Sequence, residues 1–441
     1  MQASTLRRVA RYRWPLSITL IMGVTAAFSL SPLVDVVPLQ SPAAASLKTS
    51  LLYDVLAPVS NVLDTLTLLS PAQYLATFGL CLVALFAPAV IRNARRPREF
   101  SPASTIALCL RCAGGTLAIV GLMIVGKRPM AALDLQDADL IAVDFHSHTS
   151  ASHDGRTDFD AERNREWHQS AGFNAAYITD HRTFAGALSA AERNPPVAAD
   201  GVTLLPGVEL RDGSEHPILL GADPTRTTLA SADLDGATVR TDGGPVPPIL
   251  LLTIPGNIRQ VPPSEYSGPV RLAGIEVSDG SPRGMAQTGK EKKEILALAD
   301  KLHLAPVAGS DNHGWGRAAP AWSVLRIPGW RAMSPATLDI AIRRTLLARA
   351  PGSIDVIGRR TVGPPPGRVE AALGGVSVAV LMLRTMNLRE RLSWIMWSWA
   401  GALLSLVHAR RTRKELRLRV RAAMRSKVPR PLIDAAAARV A

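Results

Sequence analysis

Long apolar segments constrain this chain more than any other feature of its sequence. They lie at 14–35, 74–92, 103–126 and 371–408. An α-helix needs ~20 apolar residues to cross a bilayer, and each segment comes close to or exceeds that length. The residues between the last two segments have the mixed composition of a water-soluble domain. The sequence of 441 residues therefore predicts a soluble domain with a core of its own, flanked by membrane segments.

The N-terminal region is predicted to contain about three transmembrane helices, at 14–37, 74–91 and 105–126. The first follows the basic stretch "RRVARYR", and its length together with the later spans favours a retained helix over a cleaved signal peptide. Residues 51–69 are also apolar, but they carry Asp54 and Asp64. Because carboxylates are costly in hydrocarbon, this segment is predicted to be a packed or interfacial helix.

The net charge of +14 is concentrated near the C-terminus, where ten Lys and Arg residues and one acid lie between His408 and Arg430. A basic run beside an apolar segment is typical of a cytoplasmic membrane flank. Nucleic-acid binding and a solvated helix without a partner are the alternatives. The basic flanks predict a multi-pass protein of the inner or plasma membrane, with 130–360 outside the cytoplasm and 391–409 as the returning span. A further span at 369–386 would reverse the side of the domain or of the tail.

Within the soluble part, short apolar runs typical of β-strands alternate with stretches of helical patterning. Helices are predicted over 159–172 and 289–303, an irregular insertion over 222–247 and a stiff linker over 362–367. The alternation predicts an α/β fold with a largely parallel sheet, in which ionisable residues gather at the carboxyl ends of the strands. Seven strands are predicted, within 140–146, 174–181, 202–210, 216–222, 248–255, 272–280 and 304–313.

Histidines and carboxylates cluster at those predicted strand ends, and eight of the nine histidines lie between residues 146 and 313. His146 and His148 are two positions apart, so both rings face the same side of a strand, about 7 Å apart at the backbone. Asp311 and His313 repeat this spacing, and Glu209 lies at the end of another strand. Imidazoles and carboxylates without thiolates suit Zn, Mn or Fe, and one acid such as Glu209 can bridge two ions.

Five motifs in this order, "DFHSHT", "SHDG", "YITDH", "PGVEL" and "GSDNH", resemble the polymerase and histidinol phosphatase (PHP) family. The resemblance covers residues 140–330, about half of the chain. It implies a distorted (β/α)7 barrel, here flanked by N-terminal and C-terminal transmembrane helices, with two or three divalent metal ions at the strand ends. Many members of the family are phosphoesterases.

Carried over position by position, the resemblance implies eight metal ligands. They are His146, His148, Asp154, His181, Glu209, His216, Asp311 and His313. Ile254 stands where many members have a ligand histidine, and Arg182 follows T-D-H where Asn or Asp is common. His153 or His168 could compensate for the missing ligand, although the pattern requires neither. His168 is otherwise expected to pack or to support a ligand, and Asp180 to orient one.

The predicted function is a membrane-anchored phosphoesterase that hydrolyses a phosphate mono- or diester by a metal-bridged hydroxide. His216 and His313 are the candidates to protonate the leaving oxygen. Arg317 and Arg283 lie in glycine-rich loops, where they would either recognise phosphate or be ordinary surface arginines. A catalytically inactive PHP-like metal- or ligand-binding module is the alternative, because Ile254 cannot bind a metal. A PHP-type nuclease is a further alternative, although membrane segments are predicted to divide the basic tail from the barrel.

Four regions follow from these patterns: a membrane region over 1–129, the metal-dependent hydrolase domain over 130–361, a linker with the C-terminal membrane segment over 362–409, and a basic tail over 410–441. The expected partners are a phosphorylated small molecule or phosphodiester as substrate, and the lipid bilayer. Nucleic acid is not an expected partner.

Overall fold

A computed structural model describes residues 12–80, 102–211, 215–224, 246–256, 270–364 and 368–425. Within these residues the chain forms two compact units. The described parts of 30–54 and 59–385 belong to the larger unit, and 12–29, 55–58 and 386–425 belong to the smaller one. The predicted soluble domain lies in the larger unit.

The described residues contain twelve strands: β1 (Leu33–Asp35), β2 (Ala45–Lys48), β3 (Ala132–Leu135), β4 (Leu140–Ser147), β5 (Ala175–Ile178), β6 (Thr203–Glu209), β7 (Ile218–Leu220), β8 (Ile249–Leu252), β9 (Arg271–Ser278), β10 (Ala305–Ala308), β11 (Ala321–Arg326) and β12 (Ile354–Arg359). The α-helices of the same residues are α1 (Arg13–Ala27), α2 (Leu51–Val55), α3 (Ala57–Thr67), α4 (Pro102–Val125), α5 (Ala161–Ala171), α6 (Ala185–Ala191), α7 (Pro282–Met285), α8 (Gly289–Lys301), α9 (Pro335–Ala348), α10 (Arg368–Thr385) and α11 (Leu388–Arg425). Residues 71–80 are helical as well.

Ten strands form one curled, half-barrel sheet in the order β1-β12-β11-β4-β5-β6-β7-β8-β9-β10. Strands β4, β5 and β6 are parallel, as are β8, β9 and β10, but the other five pairings are antiparallel. The prediction of a largely parallel sheet is therefore wrong in part. One reason is that only residues 210–217 join β6 to β7, too few for the helical crossover that a parallel pair needs. The curled α/β sheet is consistent with the expected distorted barrel.

The sheet curls far enough to bring β10 against β4 and β11. The backbone N–H of Ala308 in β10 donates to Oγ of Ser323 in β11 at 2.7 Å. The N–H of Asp311 donates to the carbonyl oxygen of His146 in β4 at 2.8 Å. The first and last of the seven predicted strands therefore end at the same place.

All seven predicted strands are present, as β4 to β10, and the two predicted helices are α5 and α8. Helix α5 begins after Asp160, whose side chain accepts the N–H of Arg163, and ends at Gly172 in the left-handed conformation. Helix α8 begins with a capping box formed by Thr288 and Glu291. Strands β1, β11 and β12 lie outside the predicted strands and extend the sheet beyond β4.

Strand β4, which leads into the histidine pair, is buried on both faces. Ile141, Val143 and Phe145 pack into one apolar cluster, whereas Leu140 and Ala142 pack into another. This is the period-two alternation of a strand between two layers. The strand is thus held from both sides up to the point where the polar residues begin.

The predicted first span does not continue to residue 37. Helix α1 ends at Ala27, and Leu33–Asp35 pairs with β12 as the edge of the sheet. Pro32 biases the residue before it towards extended backbone, which ends the helical pattern. The 15 residues of α1 measure about 22 Å, less than the ~30 Å hydrocarbon core of a bilayer. The helical part of the predicted span 14–37 therefore ends at Ala27, and its role as a membrane span stays a prediction.

Two helices of the described residues are long and apolar enough to cross a membrane, Ile106–Val125 within α4 and Leu388–Ala422 within α11. The first coincides with the predicted third span. The second contains the predicted span at 391–409, while the apolar part of α10, Leu373–Thr385, is shorter.

Of the predicted second span, residues 81–91 lie outside the described part of the chain. The number of spans, the boundaries of the four regions and the side of the membrane that the hydrolase domain faces stay predictions.

Residues 51–69 are packed in short helices, α2 and α3, as the two acids of the segment predict. The Asp64 carboxylate is buried and accepts a hydrogen bond from the Tyr53 hydroxyl at 2.9 Å. It also pairs with Arg128, and with Arg359 at 2.9 Å. Asp54 is buried too, and accepts a hydrogen bond from the Thr49 hydroxyl at 2.7 Å. The cost of burying both carboxylates is offset by these partners.

Replacing Gly172 tests the packing of the C-terminal end of α5 against β3, which pairs with β2 in a separate two-stranded sheet. Its φ is 85°, and an added Cβ would overlap the backbone of Leu133 in β3. We expect Gly172→Ala to lower the unfolding midpoint of the full chain in detergent by roughly 5–10 °C, because the strain amounts to about 2–3 kcal/mol. Gly289→Ala is the matched control, since an added Cβ there meets nothing within 4 Å. Equal midpoints for the two variants would contradict this account.

Candidate metal centre

The eight predicted ligands lie at one edge of the curled sheet. His146 is the second-last residue of β4, His148 follows that strand directly, and His181 follows β5. Glu209 is the last residue of β6, and Asp311 with His313 follows β10. His216 precedes β7, which is antiparallel to β6, so its start lies at the same edge. Asp154 belongs to the loop after β4. Strand direction therefore gathers side chains that are far apart in the sequence.

Glu209 is the centre of the arrangement, and its residue is only 2% exposed. Its Oε2 atom lies 3.1 Å from Nε2 of His146, 3.2 Å from Nε2 of His148 and 3.3 Å from Nδ1 of His181. Its Oε1 atom lies 2.7 Å from Nδ1 of His216. One buried carboxylate thus faces four imidazoles.

Two aspartates complete the cluster. Oδ1 of Asp311 lies 3.3 Å from Nε2 of His148 and 3.4 Å from Nε2 of His146. Oδ2 of Asp154 lies 3.2 Å from Nε2 of His313 and 3.3 Å from Nε2 of His181. The two aspartates therefore face different pairs of histidines, as expected of ligands that serve more than one ion.

The hydrogen bonding of His148 tests whether these residues fit a metal. The side chain is fully buried, yet neither ring nitrogen has a hydrogen-bond partner in the described part of the chain. Nε2 of His313 is also buried without one. Buried polar atoms normally have partners, and imidazole nitrogens facing carboxylate oxygens are the donor set of Zn, Mn or Fe. The residues fit divalent metal ions.

Three overlapping groups of ligand atoms bring their nitrogens and oxygens within 4.8 Å of one another. They are His146, His148 and Glu209; His148, His181 and His313; and His181, Glu209 and His216. A fourth group joins Asp154 and His181 to His153. The His153 side chain is 73% exposed, and its Nδ1 lies 3.7 Å from Oδ1 of Asp154. His153 therefore lies at the solvent-exposed rim of the cluster.

The electrostatics of the cluster divide its histidines into two kinds. Burial by itself would lower the pKa of His146, but the surrounding carboxylates raise this pKa well above its usual value. Burial likewise opposes protonation of His148, yet Asp311 and Glu209 raise its pKa to about 9. For His181, burial prevails and lowers the pKa to about 4, and burial also lowers the pKa of His313. Without a metal, protons on His146 and His148 balance the acids.

Glu276 is a member of the site that the motifs do not include. It is completely buried in β9, and its Oε1 lies 3.1 Å from Nδ1 of His146. Burial and the neighbouring Asp311 and Glu209 raise its pKa, although His146 opposes the rise. Asp279 follows the same strand, where burial and the adjacent acids raise its pKa to about 8. The signal in the sequence was a lone glutamate within the apolar strand "LAGIEVSDG".

The backbone beneath the cluster is held by Asp144. Its Oδ1 accepts the N–H of Ser310 at 2.9 Å and that of His146 at 3.1 Å, which ties β4 to the loop after β10. Its Oδ2 lies 2.8 Å from Nε2 of His168. His168 therefore supports the ligands from behind, as predicted, and does not compensate for the missing ligand.

Gly309, which directly follows β10, leaves no room for a side chain beside the cluster. An added Cβ there would overlap Oε1 of Glu276 and Cβ of His146. The two oxygens of Asp180 accept the N–H and hydroxyl of Thr149, just after His148, at 2.6 and 2.8 Å. Its role in orienting a ligand stays a prediction.

Ile254 and Arg317 lie outside the cluster. Ile254 is buried in an apolar cluster with Ile275 and Val277, so it supplies no ligand. Arg317 donates from Nε to the carbonyl oxygen of Arg128 at 3.3 Å, and within the described residues no hydrogen bond links it to the histidines. Its side chain thus lies at the end of α4, and a role for Arg317 in phosphate recognition stays a prediction.

No protein-family model matches this chain, and no curated protein matches it. Several solved structures resemble it loosely. PsfC from Pseudomonas syringae is 16% identical, with 56% of this chain and 99% of that chain covered and a TM-score of 0.31. A two-domain protein of Bacteroides vulgatus containing a predicted PHP-like metal-dependent phosphoesterase is 16% identical, covering 54% and 69%, with a TM-score of 0.29. The lesion-specific endonuclease EndoQ of Pyrococcus furiosus is 12% identical, covering 49% and 57%, with a TM-score of 0.33. All three TM-scores are low, so the functional conclusion depends on the residues of the site.

Metal binding should become tighter as the pH rises. His146 and His148 have raised pKa values, about 9 for His148, so near neutral pH each ring holds a proton that must leave before its nitrogen binds an ion. We expect calorimetric titration of the full chain with Mn²⁺ or Zn²⁺ to give a dissociation constant that falls as the pH rises from about 6 to about 8. If binding releases one proton, the constant falls about tenfold for each pH unit, and each further proton released adds another factor of about ten per unit. The proton release itself is read from two buffers of different ionisation enthalpy. An affinity that does not change with pH would contradict the assigned ligands.

Removing the charge of Glu276 should weaken metal binding although the residue lies behind a ligand. Glu276→Gln preserves the shape of the side chain but removes the carboxylate beside Nδ1 of His146, so we expect the metal dissociation constant to rise about 10- to 100-fold. Glu294→Gln, on the exposed side of α8, is the matched control. An unchanged constant in Glu276→Gln, with the circular dichroism of the parent, would exclude a role for Glu276 at the centre.

Proposed function

We propose that this chain is a membrane-anchored, metal-dependent phosphoesterase of the PHP type. The observation that supports the proposal most strongly is the buried Glu209 carboxylate, which faces four imidazoles at the edge of the sheet. A bridging acid surrounded by histidines is the arrangement with which two-metal hydrolases act on phosphate esters.

The overlapping ligand groups indicate how two ions would be held. His146, His148 and Glu209 would hold one ion, and His181, Glu209 and His216 the other. The third group, which includes His313, shares His148 with the first group and His181 with the other. The proposed number of metal ions is therefore two or three. Bound divalent ions neutralise phosphoryl oxygens and lower the pKa of a coordinated water, so they would supply both charge and nucleophile.

The exposed members of the cluster indicate where substrate enters. The side chains of His216 and Asp154 are 44% and 43% exposed, whereas those of His146, His148 and Glu209 are at most 5% exposed. A phosphate ester therefore approaches from the side of His216 and Asp154, and the remaining ligands exclude bulk water.

His216 and His313 remain the candidates to donate a proton to the leaving oxygen. Glu209 orients His216 at the rim through Nδ1. The carbonyl oxygen of Asp311 lies 3.0 Å from Nδ1 of His313, and Asp154 lies beside its Nε2. Neighbouring oxygens thus hold each ring at the cluster, and general acid catalysis requires a proton donor that is positioned within hydrogen-bond reach of the leaving group.

Arg283 is the proposed contact for a phosphoryl oxygen outside the ions. Its Nη2 lies 4.0 Å from Oε2 of Glu215, the neighbour of His216 in the chain. Both oxygens of Glu215 accept the N–H of Gly256, at 3.0 and 3.1 Å. The guanidinium is 43% exposed, so it stands beside the rim, where an arginine can bind phosphate in a bidentate manner.

Hydrolysis by the purified full chain tests this function. We expect phosphate mono- or diesters to be hydrolysed only after Mn²⁺ or Zn²⁺ is added, and Glu209→Gln to lower kcat at least about a hundredfold because it removes the bridging charge. Glu294→Gln on the surface of α8 is the control and should retain full activity.

The two alternative functions, a binding module and a nuclease, predict different results. A metal- or ligand-binding module without catalysis, which the Ile254 position favours, would bind ions in calorimetry but turn over no ester. A nuclease would cleave single- or double-stranded DNA or RNA faster than small esters, and binding would weaken with salt.

A further inference from the structure

A cationic cavity lies between the end of α4 and the loop that carries His313. Its lining includes the side chains of Lys127, Arg156, Arg163 and Arg317, with Glu166 as the acid among them. Asp158 pairs with Arg156 and with Arg163, which leaves the cavity with an excess of positive charge. A cavity of this kind attracts an anion.

The cavity shares its wall with the metal centre. The carbonyl oxygen of His313 accepts the backbone N–H of Arg156 at 3.0 Å, and that of Gly314 accepts Nη1 of the same arginine at 3.1 Å. Trp315 lies next in the loop, is 51% exposed and faces the Arg156 guanidinium at 5.7 Å. The loop therefore has a metal ligand at one end and a basic, aromatic surface at the other.

The same loop is bonded to the apolar helix. The N–H of Gly316 donates to the carbonyl oxygen of Ile124, in the last turn of α4, at 3.2 Å. The apolar stretch of that helix, Ile106–Val125, has 20 residues and is thus about 30 Å long, which equals the ~30 Å hydrocarbon core of a bilayer. If this stretch spans the bilayer, the loop lies at the level of the head groups.

The residues around this helix end have the composition of a membrane interface. Lys127 is exposed directly after the span, and Trp315 is exposed beside it. Lysine and tryptophan are enriched at this level of a bilayer. Arg128 pairs with the buried Asp64, which fixes the direction in which the chain leaves the helix.

We propose that the substrate is a membrane-resident phosphoester, a lipid whose apolar chains stay in the bilayer beside α4 and whose phosphate lies over the loop 313–317. The proposal rests on the phosphoesterase function proposed above. Lys127 and Arg317 would attract the anionic head group, and Trp315 would contact the glycerol region. In the reaction a water oxygen bonds to phosphorus, the P–O bond to the alcohol breaks, and the alcohol oxygen takes up the proton.

A basic cavity would also attract a water-soluble phosphate ester, so the test compares matched pairs. The full chain in phosphatidylcholine vesicles is given phosphatidic acid or glycerol phosphate as monoesters, and phosphatidylglycerol or glycerophosphoglycerol as diesters, with Mn²⁺ or Zn²⁺. We expect kcat/KM for the lipid of one pair to exceed that of its soluble partner about tenfold or more, because the bilayer and the loop supply binding energy remote from phosphorus.

Reversing the charge of Lys127 tests whether the preference for lipid esters depends on the cationic cavity. Lys127→Glu should lower the ratio of lipid to soluble turnover about fivefold or more. Lys290→Glu, on an exposed turn of α8, is the matched control and should leave the ratio unchanged. In metal-free protein, phosphatidic acid in the vesicles should protect Lys127, but not Lys290, from an amine-modifying reagent read by mass spectrometry.

The outcomes separate this proposal from the function on which it rests. Soluble esters hydrolysed as efficiently as the lipids, or a ratio unaffected by Lys127→Glu, would overturn the lipid substrate and leave the phosphoesterase in place. No metal-dependent turnover of any of the four esters would overturn both.

Discussion

The burial of several ionisable groups in one small space is the constraint on which the rest of this structure depends. Glu209, Asp311 and Glu276 are all largely withdrawn from water beside His146 and His148. Carboxylates buried this way are tolerated only with partners that balance their charge. The apolar contacts of the buried strands beneath them, β4 above all, hold these groups in place.

The sequence predicted the part of the site that depends on strand ends. Parallel strands place their carboxyl ends at one edge, so the motifs after β4, β5, β6 and β10 had to meet, and the eight predicted ligands do so. Glu276 was missed because it lies within a strand, where position alone does not distinguish a buried acid from a solvent-facing one. The position of the Arg317 side chain at the end of α4 could not be predicted, because a glycine-rich loop does not fix the direction of a long side chain.

The membrane segments were less predictable than the site. Hydropathy measures composition, and it cannot tell that the chain after Ala27 leaves the helix to pair Leu33–Asp35 with β12. The antiparallel pairing of β7 depends on a connection length, which the sequence shows only after the strand boundaries are known. The apolar run of α4, by contrast, is one helix with only 6% of its residues buried within the described part of the chain, and composition predicted that helix.

Gly309 restricts how this site can change in evolution. Because a single methyl group at this position would overlap the side chains of both Glu276 and His146, the floor of the centre tolerates almost no added volume here. The rim residues are exposed: His216 and Asp154 lie on loops, and Arg283 lies in the short helix α7. A descendant of this chain that acquired a different ester as substrate would have to change at the rim, while the floor stayed as it is.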